Sequence, residues 1–139
     1  MSVLVDTGIL VAGADRADRS HERAARILAT IGTEGPFTTD HILVECWHLI
    51  RSRASWFEAT RFWEGIRESP LVIEFVGAPD LERAEGIAVA WADQEFDLAD
   101  CTSFAVMERV GCSRVASFDR DFAIYRYGAD RTRSFQIVN

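Results

Sequence analysis

Short apolar runs alternate with segments of helical periodicity along the whole chain, and this alternation leaves few folds open. Val3–Asp6 is β-branched and apolar, as a buried strand is. Ser20–Ile31 follows, with Ala24, Ile27, Leu28 and Ile31 at helical spacing. Gly35 and Pro36 punctuate, and Phe37–Thr39 reads as a second strand. Ile42–Ile50 is nearly all apolar and reads as a buried helix. Ser55 and Glu58 form the S-x-x-E of a capping box, in which the Ser accepts from a backbone N–H and the Glu reaches back. They open a helix with Ala59, Phe62, Trp63 and Ile66 on one side, ended by Pro70. Leu71–Val76 is the third strand. Pro79–Trp91 carries Leu81, Ala84, Ala88 and Trp91 in helical register, and Asp97–Val110 is a helix with Gly111 at its C-terminal cap. Val115–Phe118 and Phe135–Val138 complete the strands. Strands alternating with helices predict an α/β layered fold around a mainly parallel sheet, with the site beyond the carboxyl ends of the strands.

At 139 residues this is expected to be a single domain, residues 1–139. Hydrophobic residues at 48% supply a core. The formal net charge is −7, and all 15 basic residues are Arg. The missing Lys excludes a P-loop, a protein kinase and a Schiff-base enzyme, each of which needs that amine. An acidic total disfavours a general basic clamp on nucleic acid but leaves a nuclease open, because carboxylates that hold cations raise the negative count. The N-terminal Met-Ser-Val-Leu-Val-Asp has no basic n-region, and no stretch approaches the roughly 18 apolar residues of a membrane span. Cys46, Cys101 and Cys112 are odd in number, lack a C-x-x-C and sit among apolar neighbours. They read as buried thiols of a cytoplasmic protein.

Four acids are not explained by a solvated helix face. Asp6 ends the first strand and Asp119 the fourth, so both point to the edge where such folds bind ligands. Glu45 is the one acid in Ile42-Leu43-Val44-Glu45-Cys46-Trp47, where a buried carboxylate would cost several kcal/mol or more unless paired or metal-bound. Asp100 falls in the first turn of the late helix, where it could simply complement the helix dipole. With no Lys to neutralise them, four converging carboxylates suit a divalent cation such as Mg²⁺ or Mn²⁺.

On these pieces the chain resembles the PIN-domain ribonucleases, and in particular the VapC-type toxins of toxin–antitoxin pairs. The matching segments are Val5-Asp6-Thr7, Val44-Glu45-Cys46, the helix Leu98–Met107 with Asp100 near its start, and Ser117-Phe118-Asp119-Arg120-Asp121-Phe122. The resemblance implies a three-layer PIN-like fold with four to five strands flanked by helices. It implies a metal-dependent endoribonuclease with Asp6, Glu45, Asp100 and Asp119 as catalytic ligands, and Asp121 as a further acid. Ser117 and Thr7 would support those ligands through their hydroxyls. Asp97 stands where the family commonly has a Ser or Thr cap, so it either caps the helix or adds a ligand. The implied partners are a structured cellular RNA (tRNA or rRNA), a VapB-like antitoxin and a second copy of the chain. Arg16, Arg19, Arg51 and Arg53 follow the acidic segments and are the candidates for RNA contact. Trp56, Phe57, Phe62 and Trp63 exceed what one helix face can bury, so part of them should form an antitoxin or dimer patch.

Other readings fit less well. Glu45 and His48 form one E-x-x-H, but a di-iron bundle needs two. Cys46 and His48 are two apart on a helix and diverge, against a zinc site with His41. His21 is expected to pack or cap. A phosphoacceptor domain and a haloacid-dehalogenase-like phosphatase each require a Lys that this chain lacks, and the latter wants Asp-x-Asp where Asp6-Thr7-Gly8 stands. A non-catalytic PIN-like module binding RNA or protein is the remaining alternative.

Overall fold

Val3–Val5 (β1) is buried throughout, as a strand covered on both faces must be. In the computed structural model, which describes residues 1–139, β1 is the centre of a five-stranded parallel sheet. The other strands are Pro36–Thr39 (β2), Val72–Glu74 (β3), Arg114–Ala116 (β4) and Gln136–Val138 (β5), in the order β3-β2-β1-β4-β5. Leu4 pairs with Phe37 on one side and Val115 on the other, which fixes the register of the central three strands.

The helices are Thr7–Ala14 (α1), His21–Ile31 (α2), Asp40–Arg53 (α3), Trp56–Glu68 (α4), Ala78–Ala90 (α5), Leu98–Val110 (α6) and Asp121–Ile124 (α7). The chain steps outward from β1 to β2 to β3 through α1–α4, then returns across the sheet through α5 and α6. Right-handed crossovers therefore set these two groups on opposite faces. Accordingly α1 packs on α2 and α3, and α3 on α4, while α5 packs on α6. This is the three-layer α/β arrangement that the sequence predicts.

The differences from the sequence reading have local causes. α1 is unannounced because Ile9, Leu10, Val11 and Ala12 are all buried, and a helix covered all round shows no amphipathic period. α7 is four residues long, too short for any period. β3 and β4 are each three residues, shorter than their apolar runs. In α5 the inward residues are Asp80, Ala84 and Ile87, while Leu81 and Ala88 are exposed. The buried face carries a carboxylate, so counting apolar positions rotates the helix by about one residue. In α3, Val44, Glu45 and His48 face outward, so this helix is half-covered. Ser55 Oγ accepts from Glu58 N–H at 3.0 Å, but the Glu58 carboxylate lies 3.9 Å from Arg61, so only half of the capping box forms. Phe62 belongs to the core, leaving Trp56, Phe57 and Trp63 as the exposed aromatic residues of α4.

Candidate metal centre

The connections from β1 and β4 leave in opposite directions along the sheet, so the crevice between their carboxyl ends is the topological switch point. Asp6 follows β1 there and Ser117 follows β4. Asp6 occupies the N-cap position of α1 without capping it; its Oδ2 instead accepts from Ser117 Oγ at 2.7 Å. The same Ser117 Oγ accepts from Asp119 N–H at 2.9 Å, and Asp119 Oδ1 accepts from Asp121 N–H at 2.9 Å. One hydroxyl thus ties the end of β1 to the turn after β4.

Asp100 enters from the first turn of α6. Carboxylate oxygens of Asp100, Asp119 and Asp121 all lie within 4.8 Å of one another. This tightest group includes Asp121, which the resemblance ranks as a further acid, and leaves Asp6 and Glu45 at its side. Glu45 is exposed rather than buried, so the burial argument for it fails; what places it is Thr7, whose Oγ1 donates to Glu45 Oε2 at 3.0 Å. Asp97 stands at the N-cap position of α6 and makes no side-chain cap hydrogen bond, so of the two roles left open for it the capping bond is not formed.

The charges here are uncompensated. None of the five ion pairs in the structure includes Asp6, Glu45, Asp100, Asp119 or Asp121. Burial pushes Asp6 up to about 6; hydrogen bonds from Ser117 and the Thr7 backbone pull it down, and the charges of Asp119 and Glu45 push it up again. Asp100 is held well above the carboxylate range, first by burial, then by its hydrogen bond with Asp121 and the charges of Asp119, Asp6 and Asp121. The neighbouring thiols are buried in the same field. Burial, then Glu45 and Asp6, raise Cys46 far above its ordinary value, and burial with Asp100 raises Cys101 to about 11. Hard carboxylate oxygens in excess, with no arginine opposite, form a donor set that fits Mg²⁺ or Mn²⁺.

The four candidate arginines do not converge on these acids. Arg16 and Arg53 line a groove of about 790 Å³ between α1, α2, α3 and α4, floored by Leu10, Leu28, Ile50, Phe62 and Ile66. Arg53 stands eight residues beyond Glu45, about 12 Å along the helix. Arg51 lies 5.4 Å over the Trp47 ring, and Arg19 is exposed before α2. One arginine that the sequence reading passed over does approach: Arg23 lies 4.9 Å over the ring of Phe118, beside Asp119. His21 ties α2 to α1 through Nδ1 and the Ala12 carbonyl at 2.8 Å, a structural role. No helix is long and apolar enough to cross a membrane.

The PIN domain profile matches residues 3–127. The "23S rRNA-specific endonuclease VapC20" of two Mycobacterium tuberculosis strains, CDC 1551 / Oshkosh and ATCC 25618 / H37Rv, is 33% identical over 124 residues, covering 87% of this chain and 92% of the relative. The crystal structure of M. tuberculosis VapC20, described as a sarcin-ricin loop cleaving toxin, superposes with a TM-score of 0.82 at 29% identity, over 88% of this chain and 93% of that one. VapBC2 from Rickettsia felis, bound to a promoter DNA fragment, shares the fold with a TM-score of 0.68 at 11% identity, covering 100% and 98%.

Proposed function

The chain belongs to the PIN-domain family, and from that premise we propose that it is a metal-dependent endoribonuclease acting in the cytoplasm as the toxin of a toxin–antitoxin pair. The observation that carries this reading is the uncompensated acid group at the switch point of the sheet. Asp100, Asp119 and Asp121, with Asp6 beside them, would hold Mg²⁺ or Mn²⁺, and Glu45 would complete the site. The bound cations would supply an activated water and neutralise charge at the scissile phosphate. Asp6 and Asp119 are kept in place by Ser117, and Glu45 by Thr7. Ribosomal RNA is favoured over tRNA as substrate, because the 33%-identical relatives are named for 23S rRNA and the VapC20 structure for the sarcin-ricin loop. Exposed Arg19 and Arg51 are the remaining RNA contacts from the sequence reading.

The partner surface is assigned separately. The groove that Arg16, Arg53 and Arg61 rim has an apolar floor, and none of the five acids lines it. It suits an amphipathic antitoxin segment of VapB type better than an RNA strand, with Trp56, Phe57 and Trp63 extending the apolar surface. A homodimer is read from the resemblance alone, and light scattering of the purified protein tests it.

The decisive experiment incubates the protein with ribosomal RNA in Mg²⁺, Mn²⁺ or EDTA and maps the new ends. Discrete fragments that require the cation are expected. RNA and metal binding without any cleavage would favour a non-catalytic module.

A further inference from the structure

We propose that Arg23, laid over Phe118, and Arg26, on the same face of α2, form a phosphate-binding subsite for the RNA strand that flanks the cleaved bond; this rests on the nuclease reading above. The two arginines are three residues apart and therefore neighbours on the helix surface. Both line a concavity of about 360 Å³ between α2 and the end of β5, with Ile27, Thr30, Val138 and Asn139. No carboxylate side chain lines it, and neither arginine takes part in an ion pair, in a chain of net charge −7.

The concavity is connected to the acid crevice through one aromatic ring. Phe118 lies between Ser117 and Asp119, and a Cβ added at Gly8 would stand 3.6 Å from its Cδ2. Phe118 thus rests on the turn that carries Asp6 and Thr7, and its ring face holds the Arg23 guanidinium at 4.9 Å. A guanidinium laid on an aromatic face is pre-organised and keeps its edge N–H donors for a bidentate contact, which matches a phosphodiester. The location answers an electrostatic need. A polyanion brought to a crevice of five acids is repelled, and local cations beside the crevice offset that repulsion. Arg23, Arg26, Thr30 and Asn139 make up most of its lining, whereas apolar residues make up most of the groove between α1 and α4, so a nucleic-acid backbone fits it better than an apolar peptide.

The test uses Arg23→Ala, Arg26→Ala and the double variant, with a fixed RNA oligonucleotide of the 23S rRNA sarcin-ricin loop and Arg67→Ala on α4 as control. Binding is read in EDTA by fluorescence anisotropy across a salt series, and cleavage is read with Mn²⁺. The double variant should lower RNA affinity by about 10–100-fold and flatten the slope of log K against log salt by about 1.4, the share of two contacts on a single strand. KM should rise while kcat stays within about twofold, because the subsite acts on binding rather than on the bond. A folded double variant with wild-type slope and KM overturns the subsite and leaves the nuclease reading intact. Wild-type RNA affinity with lost affinity for the antitoxin also overturns it and makes the Arg23–Arg26 face a protein contact. Failure of the wild type to cleave would sink the nuclease reading, while the metal-free binding arm still decides the subsite.

Discussion

Two regions of the molecule withdraw carboxylates from water and treat them in opposite ways. At the back of the sheet Asp80 is buried, and Arg109 clamps it with Nε and Nη2 at 2.9 and 3.1 Å. The same guanidinium reaches Glu74 at 2.8 Å and the Phe75 carbonyl at 3.1 Å, so it joins the end of β3, the start of α5 and the end of α6. Burial alone would push Asp80 up, but the bonds and charge of Arg109, with the Gly77 N–H, hold it below the ordinary carboxylate range. In the crevice, Asp6 and Asp100 are buried with no arginine opposite and are pushed upward. Fifteen arginines were available, and only four make ion pairs. The clamp is compensated charge that serves the fold. The crevice is uncompensated charge that works against the fold.

Removing one acid from each region should separate them most sharply. Asp6→Asn is expected to lower metal-dependent RNA cleavage on the order of 10³–10⁴-fold, as loss of one member of a cooperating set does. In EDTA the same variant should unfold at higher urea than the wild type, since it removes a buried charge. Retained cleavage would end the assignment of Asp6.

Acid titration should pull the two regions apart in opposite directions. Asp6 is raised from 3.8 to about 6, so its protonated form favours folding. That gain is fully present below about pH 4 and is lost as pH rises through 6, a swing of about 3 kcal/mol at most. Asp80 is lowered, so its contribution is present above its ordinary value and lost as pH falls through the folded one. Urea denaturation in EDTA from pH 3 to 8 should therefore peak near pH 4 and fall from there towards 6. Asp6→Asn should lessen the decline between about pH 4 and 6, leaving the part that buried Asp100 contributes, and a cation should oppose that decline in the wild type. Arg109→Ala should cost about 2–3 kcal/mol at pH 7, between the values for exposed and buried pairs because Arg109 is itself partly exposed. Its cleavage per folded molecule should stay near wild type.

The sequence discloses these two regions unequally, and the reason is physical. The crevice acids are legible because Asp6 and Asp119 follow apolar strands whose destination is set by parallel-sheet topology. Ser117 is legible only through the family resemblance, since strand topology places the residue but does not say that its hydroxyl meets Asp6. The Asp80–Arg109 clamp is not, because the partners lie 29 residues apart on helices whose relative rotation no periodicity encodes. Reading Leu81 and Ala88 as the inward face of α5 is the direct result. Glu45 shows the converse. Its apolar neighbours suggested burial, but α3 is covered on one side only, and a hydrogen bond from Thr7 holds it instead. Arg23 escaped notice because its role depends on a ring, Phe118, that only the fold brings beneath it.

The smallest expected effect sharpens the comparison furthest, because it removes no charge from either region. Ser117 donates to Asp6 and accepts from the Asp119 N–H, so one hydroxyl orients the two acids that follow β1 and β4. Ser117→Ala should leave both acids present but unsupported, and loss of such an orienting partner lowers metal affinity or activity by about 10–100-fold. The Asp6 carboxyl should titrate higher still, because the Ser117 hydrogen bond is one of the two interactions pulling it down. Isothermal titration with Mn²⁺ and the pH profile of cleavage read these two effects separately. Ser117→Thr keeps the hydroxyl and should restore most of both. If Ser117→Ala bound Mn²⁺ like the wild type, the hydroxyl would be a packing feature of a buried turn, and the crevice would owe its geometry to the strands alone.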